Sequence, residues 1–233
     1  MKKLFTLLAL TISFSMNAQV STNSTSPTGT YASAMGNGTT ASGNESTAMG
    51  YDTTASGEAS TAMGYSTTAS TQASTAMGKS TTASGDTSTA MGLFTTASGD
   101  TSTAMGGSTT ASGIRSTAMG SGTTASGYVS TAMGTHTTAS DFASVVIGQY
   151  NSSGLSVTNN ATSFSTSNTA FVIGNGTSGS LSDAFKVMFN GDTTVSNDLT
   201  VSGDVVISSD ARLKSNIVSL GSTLPKLLQI DGK

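Results

Sequence analysis

The chain has 233 residues, of which 35% are hydrophobic, 6% aromatic and 9% charged, with 27 Gly, no Cys and no Trp. So few large apolar side chains cannot form the thick core of an average enzyme domain, because burial of such side chains offsets the entropy lost on folding. The net charge of -3 provides no basic stripe for nucleic acid, and a single histidine without any thiol leads us to expect no metal site and no cofactor.

The first 18 residues have the order of a secretory signal peptide. Lys2 and Lys3 precede an apolar run over residues 4–16, and Asn-Ala-Gln follows at residues 17–19. We expect cleavage after Ala18 and therefore an exported protein, secreted or held at the cell surface in association with the outer membrane. An uncleaved anchor is the alternative, although the run is short for a membrane span, and we expect no span in the mature chain. Residues 19–32 are expected to be a linker.

Residues 33–148 form a repeat with a period of 14 residues. The string STAMG recurs in phase, SAMG stands one period before its first copy, and SVVIG stands one period after its last copy. The fourth letter of this motif is occupied by Met35, Met49, Met63, Met77, Met91, Met105, Met119, Met133 and Ile147. TTASG or a near copy lies between successive motifs, so each unit consists of two halves of seven residues.

Short strands joined by glycine turns suit this composition better than helices do, because Gly and Thr at this density destabilise a helix. Each unit then makes one coil of a flat solenoid with two sheets, and successive coils stack about 4.8 Å apart. A disordered or glycosylated stalk is the alternative reading of so much Ser, Thr and Gly. Columns kept in phase over nine units favour an ordered, all-β roll.

Alternation along each strand separates the alanines from the methionines. It places Ala48 and Ala55 on the inner faces and Met49 and Ser56 on the outer faces of the two sheets. A row of Met in water would be a large apolar patch, so we expect the Met-bearing sheet to pack against copies of itself. The opposite arrangement, with Met inside, fits less well because the Met column would face Ser.

The alternation of STAMG and TTASG at this period resembles the head repeats of trimeric autotransporter adhesins of the Yersinia adhesin A type, whose motif reads approximately SVAIG. The resemblance covers residues 33–148, and SVVIG at residues 144–148 is close to the family motif. It implies a left-handed parallel β-roll, a homotrimer, and binding to host matrix or cell surfaces. The nine in-phase positions from Met35 to Ile147 are then the expected trimer interface.

The turns vary from coil to coil while the strands stay constant. Because loops on a rigid scaffold commonly carry binding residues, the larger turn side chains are candidates for contact with a partner. These candidates are Tyr51, Tyr65, Phe94, Arg115, Tyr128 and His136. The alternative interpretation is tolerated variation at solvated turns, which for His136 is the simplest one.

The period fails at Gln149, and residues 149–182 read as an irregular insertion with one further coil at residues 170–176. Over residues 183–207, alternating stretches separated by turn signals predict short strands at residues 184–189, 193–195, 199–201 and 205–207. None of them is wide enough to fold alone. We therefore expect a β neck intertwined between three chains.

Residues 208–233 begin with SSDARLKSNI, which resembles the start of the intramolecular chaperone of phage endosialidase tailspikes. That resemblance implies a self-cleaving domain, truncated here, in which Ser209 is the nucleophile, Lys214 is the base and the Ser208–Ser209 bond is cut. A lysine acts as such a base only when burial lowers its pKa. The alternative is a solvated helix start capped by Ser209 or Asp210.

Three functions follow from these patterns. The first is the head of an exported homotrimeric fibre, an adhesin, that contacts its own copies and a host, matrix or cell-surface ligand. The second is a trimeric fibre protein that processes itself once by cleavage before Ser209. The third is an ice-binding solenoid, because Thr54, Ser56 and their copies form a Thr-x-Ser array on one sheet.

Overall fold

The computed structural model describes residues 23–155 and 157–203, and this part of the chain is all-β, with 21 strands and no helix. No helix among the described residues is therefore long and apolar enough to cross a membrane. The chain divides into two compact units, residues 1–197 and 198–233. Of the second unit only residues 198–203 are described, and they are exposed and contain no strand.

Two sheets form the first unit, and each coil of the repeat contributes one longer strand to sheet A and one two-residue strand to sheet B. Sheet A contains β2 (Ser33–Asn37), β4 (Thr47–Tyr51), β6 (Thr61–Tyr65), β8 (Thr75–Lys79), β10 (Thr89–Leu93), β12 (Thr103–Gly107), β14 (Thr117–Ser121), β16 (Thr131–Thr135), β18 (Val145–Gln149), β19 (Thr169–Asn175), β20 (Asp183–Met188) and β21 (Thr193–Val195). Sheet B contains β1 (Ser26–Pro27), β3 (Thr40–Ala41), β5 (Thr54–Ala55), β7 (Thr68–Ala69), β9 (Thr82–Ala83), β11 (Thr96–Ala97), β13 (Thr110–Ala111), β15 (Thr124–Ala125) and β17 (Thr138–Ala139).

Neighbouring coils pair in parallel with a shift of one repeat. Met91 in sheet A lies opposite Met77 on one side and Met105 on the other, and Thr96 and Ala97 in sheet B pair in the same way. Every residue therefore stacks on its equivalent in the next coil. This confirms the predicted all-β solenoid of about nine turns with coils of about 14 residues.

Small side chains fill the narrow space between the sheets. The Ala columns represented by Ala48 and Ala55 are completely buried, whereas Met49 is 36% exposed, so Ala lies inside and Met lies outside as expected. Two further inner columns, represented by Ser60 and Thr53, are also completely buried. The sequence analysis did not identify these polar columns as part of the interior.

The roll starts earlier than the expected linker over residues 19–32 allows. Ser26 and Pro27 pair in parallel with Thr40 and Ala41, so residues 26–27 are the first strand of sheet B. The reason is that SPTG at residues 26–29 replaces TASG in the repeat and keeps its glycine. Pro27 also has no N–H to offer at this edge of the sheet, which suits an edge strand.

At the other end, the chain leaves the roll after β18 and returns to it as β19, which pairs with β18 in parallel as the predicted further coil. Strands β20 and β21 then extend sheet A in antiparallel fashion. Two of the strands predicted from the sequence are thus present, but residues 199–201 are exposed and form no strand. The signal peptide, residues 205–207, Ser209 and Lys214 lie outside the described residues.

Candidate interaction surfaces

The outer face of sheet A carries an apolar row along the length of the roll. Its Met side chains are partly exposed, with values of 37% at Met35 and 38% at Met119. A second row lies beside the first on the same face, two residues earlier in each strand. It contains the Thr residues that begin the longer strands of the repeats, such as Thr89. All the residues expected to form the trimer interface lie in the first row, on the outer face.

Beyond the repeats, both rows continue into residues that the sequence analysis missed. Ile173 lies opposite Ile147 and Phe185, and Phe185 lies opposite Val195, so the Met row crosses all twelve strands of sheet A. The Thr row likewise becomes apolar at its end, in β18, β19 and β20. We call the apolar end of the two rows the C-terminal patch, which consists of Val145, Ile147, Phe171, Ile173, Phe185 and Val187.

Bulk as well as hydrophobicity distinguishes this C-terminal patch from the repeats. The rings of Phe171 and Phe185 meet edge to face with their centroids 6.1 Å apart. Both rings are half-buried and lie on the outer face, so their remaining surface is available to a partner. The repeat coils have Thr and Met at the equivalent positions.

Three stacks of side chains gather most of the turn residues proposed from the sequence. In the first stack the rings of Tyr51 and Tyr65 lie parallel, with centroids 5.0 Å apart, and the Lys79 ammonium lies 5.6 Å from the Tyr65 centroid. Phe94 is 56% exposed on the same edge of the roll, one residue after Leu93, which is the equivalent of Lys79 in the next coil. Lys79 is a member that the sequence analysis missed.

The second stack lies on the opposite edge of the roll. Arg115 donates a hydrogen bond from Nη1 to Tyr128 Oη, and its guanidinium lies 5.6 Å from the centroid of that ring. The ring of Phe142 stacks on the ring of Tyr128, and the two centroids lie 5.7 Å apart. Phe142 was also missed, although it follows Tyr128 by one period.

His136 is an exposed turn residue, as the sequence indicated, and it also belongs to the third stack. Its ring lies parallel to that of Tyr150, with centroids 4.8 Å apart. One coil earlier the same column holds Gly122, where an added Cβ would lie 2.6 Å from the His136 ring. The absence of a side chain at Gly122 therefore leaves the space that the imidazole occupies.

Hydroxyl groups cover the outer face of sheet B. Thr54 is half-buried and Ser56 is exposed there, and their equivalents repeat in every coil. This arrangement is the Thr-x-Ser array on which the ice-binding hypothesis rests. That hypothesis stays a prediction, and a measurement of thermal hysteresis tests it.

The family comparison concerns the roll itself. The model described as YadA head domain repeat (2 copies) matches overlapping segments of the chain, at residues 28–53, 55–81, 72–95, 83–109, 97–123 and 111–137. Over these residues the roll is similar to YadA head repeats. Heads of this type belong to trimeric autotransporter adhesins and are exposed at the cell surface or secreted. A search of curated proteins found no match.

The similarity to YadA head repeats ends before the chain leaves the roll. The last matched segment stops at residue 137, so the insertion, the C-terminal patch and strands β19 to β21 lie outside the matched residues. The chaperone resemblance of residues 208–217 also lies outside them, and it rests on the sequence alone.

Proposed function

We propose that this chain is the head of an exported homotrimeric fibre, an adhesin, in which sheet A of each copy packs against the other two copies. The observation that carries the proposal is the apolar row across twelve strands of one face. Monomeric soluble proteins rarely leave such a continuous patch in water. Burial between copies stabilises it by about 25 cal/mol for each Å² of apolar surface removed from water.

In this arrangement sheet B and both turn edges face outward, where they reach a partner. The six turn residues proposed from the sequence present their rings and charges there, and most of them lie in the three stacks. Stacking holds each ring in one orientation and lowers the entropy lost when a partner binds. The partner is a host, matrix or cell-surface ligand.

The oligomeric state of the full chain tests the proposal. Light scattering should give three times the chain mass, and Met91→Asp combined with Met105→Asp should give monomers, because a carboxylate in an apolar interface loses its hydration without gaining a partner. The matched control, Ser98→Asp combined with Ser112→Asp on sheet B, should stay trimeric. A monomeric unsubstituted chain would contradict the proposal.

Binding is tested separately on surfaces coated with extracellular matrix or with cultured cells. Tyr51→Ser combined with Tyr65→Ser, and Arg115→Ser combined with Tyr128→Ser, should each reduce retention of the labelled trimer at least threefold. Ser108→Ala, also in a turn, serves as the control. Equal retention of all variants would remove these turn residues from the contact with the partner.

Self-processing at Ser209 is a second, independent proposal that rests on the sequence motif. Mass spectrometry of the expressed full chain should then show a fragment that ends at Ser208, and Lys214→Ala should abolish that fragment. An intact chain in both cases would eliminate self-cleavage.

A further inference from the structure

Identical coils raise a problem of register in any assembly of copies of this roll. The Met and Thr rows repeat with the same spacing in coil after coil, so one copy fits another almost equally well after a shift of one coil, about 4.8 Å. Such a shift leaves every remaining Met against Met and removes the contacts of one coil at each end only. The YadA head repeats alone therefore define an interface but not the position of one copy along it.

The C-terminal patch breaks this equivalence. It is the part of the outer face of sheet A where the two rows change from Thr and Met to Val, Ile and Phe. Shifted by one coil, the large rings of Phe171 and Phe185 would meet the smaller side chains of a different strand, and apolar surface would stay exposed to water. In register, each ring meets its own equivalent on the neighbouring copy.

Charge does not oppose this contact. The two rows carry no charged side chain over the described strands of sheet A, and Lys186 in β20 pairs with the inward-facing Val172, which places it on the opposite face of the strand from Phe185. The C-terminal patch therefore suits a second copy of the same apolar surface better than it suits a charged partner.

We propose that the C-terminal patch fixes the register in which copies of this chain assemble, with the corresponding patch of another copy as its partner. This inference rests on the proposed trimer. The repeats supply most of the contact area, and the C-terminal patch selects one alignment from the set of nearly equivalent ones, as a single distinctive position does in a coiled coil.

Disulfide cross-linking measures the register directly, because the chain has no Cys. A Met91→Cys chain that carries an extra purification tag is co-expressed with an untagged Met105→Cys chain, and the mass of each disulfide dimer identifies its members. Disulfides form when the Cα atoms lie about 4.4–6.8 Å apart, and a displacement of one coil adds about 4.8 Å along the roll. A dimer of one tagged and one untagged chain has an intermediate mass, and between Met91→Cys and Met105→Cys it reports a shift of one coil. A mixture of tagged and untagged Met91→Cys chains serves as the reference for dimers formed in register.

The test variant replaces the C-terminal patch by the residues of the repeats, with Phe171→Thr, Phe185→Met and Val187→Thr. Circular dichroism should remain that of the unsubstituted chain, because these side chains lie on the outer face. We expect few mixed dimers with the intact patch, and at least a fivefold increase in their share of all dimers with the test variant. Met63→Thr combined with Met119→Thr removes apolar surface from the repeats and should leave that share unchanged.

Two results would overturn the inference. One is a test variant whose share of mixed dimers equals that of the Cys-bearing chains with the intact patch, and the other is an equal increase of mixed dimers in the repeat control. Thr89→Cys and Thr103→Cys in the neighbouring row provide a second pair of reporters for the same comparison. Failure of the trimer itself would be seen separately, as a monomer mass of the unsubstituted chain in light scattering.

Discussion

At the scale of single residues, every turn of the roll holds a residue with a left-handed backbone, and most of these residues are not glycine. Positive φ angles recur every seven residues, for example 54° at Asp52, 54° at Ala59 and 51° at Ser66. The N–H of Ala59 donates to the Asn44 carbonyl of the preceding coil at 2.8 Å, and the equivalent bond recurs at other turns. Stacked hydrogen bonds therefore hold the strained residue in a conformation that costs roughly 1–2 kcal/mol for L-residues.

Val129 should be an unfavourable residue for such a turn, because it is β-branched and has a φ angle of 60°. We expect Val129→Asn to raise the free energy of unfolding by about 1 kcal/mol, since Asn tolerates this conformation. Ile114→Asn is the matched control, because Ile114 is similarly exposed in a turn on the same edge, without a positive φ. Chemical denaturation of both variants measures the difference, and an equal gain in both would argue against backbone strain.

The hydroxyl groups of the inner polar columns are not all satisfied, since the Thr column and some members of the Ser column, such as Ser88, are buried without a hydrogen-bond partner within the described part of the chain. Ser60 Oγ donates to the Gly57 carbonyl at 2.7 Å, whereas Thr95 Oγ1 is buried without a hydrogen-bond partner among the described residues. A buried hydroxyl without a partner is destabilising, while a buried hydrogen bond contributes about 1 kcal/mol. Ser60 and Thr95 should therefore respond in opposite ways to loss of the hydroxyl.

Accordingly, Thr95→Val should stabilise the roll by about 1 kcal/mol, and Ser60→Ala should destabilise it by a similar amount. Thermal unfolding followed by circular dichroism would show the first variant with a higher midpoint and the second with a lower one than the unsubstituted chain. A lower midpoint for Thr95→Val would mean that the hydroxyl has a partner, such as an ordered water.

At the scale of elements, sheet B ends at β17, where the Asn151 side chain takes the place of a further strand. The Thr138 N–H donates to Asn151 Oδ1 at 2.9 Å, and Asn151 Nδ2 donates to the Thr138 carbonyl at 3.0 Å. Asn151 is completely buried, so water does not compete for these bonds. Its amide therefore satisfies the backbone groups of the last strand in sheet B, which would otherwise be open to further pairing.

Removing this amide should loosen the end of sheet B. We expect Asn151→Ala to lower the free energy of unfolding by roughly 2 kcal/mol, because two buried backbone groups lose their partners. Hydrogen exchange at Thr138 should accelerate in the same variant. Asn159→Ala, in the exposed part of the same insertion, should change neither quantity, and a similar effect of both substitutions would refute the capping role.

A second side chain holds the insertion to the roll. Asp141 occupies the position of the glycine in TTASG, is completely buried, and accepts hydrogen bonds from the Thr158 and Thr169 N–H groups at 2.6 and 2.8 Å. It thus ties the insertion and the start of β19 to the last coil of the repeats. This contact helps to return β19 to the edge of β18.

At the scale of the whole molecule, the roll is a one-dimensional stack in which each coil contacts its neighbours only. Deleting one complete coil, residues 75–88, joins equivalent positions and preserves both sheets. Deleting one half, residues 75–81, joins the chain so that one half-coil is missing and the strands of the two sheets no longer alternate. The period of 14 therefore makes the two deletions very different, although both remove similar residues.

We expect the deletion of residues 75–88 to fold with a circular dichroism spectrum like that of the full chain and with a slightly lower thermal midpoint. The deletion of residues 75–81 should lower the midpoint by more than 10 °C or prevent folding. If the shorter deletion were tolerated as well as the longer one, the two halves of the repeat would be interchangeable, contrary to the two-sheet arrangement.

The sequence pattern alone was sufficient to predict the fold of the repeating part of the molecule. A constant spacing of 14 residues and strict alternation place Ala on one face and Met on the other, because the side-chain period of a strand is two. Ala inside was the better of the two arrangements, because a Met column inside would face Ser. The turn residues that form the stacks were identifiable for the same reason, since equal positions in successive coils lie one above the other. The sequence by itself thus determined the fold, the number of coils and the apolar face.

Only the tertiary structure decided what happens where the period stops. The further coil at residues 170–176 was predicted from its motif, but nothing in the sequence specifies that Phe185 lies beside Ile173 in an antiparallel strand. Such pairings depend on backbone hydrogen bonds between segments that an insertion separates, and on side chains such as Asp141 that anchor it. Because separated segments must pair to form it, the C-terminal patch is visible in the folded structure and not as a pattern in the sequence.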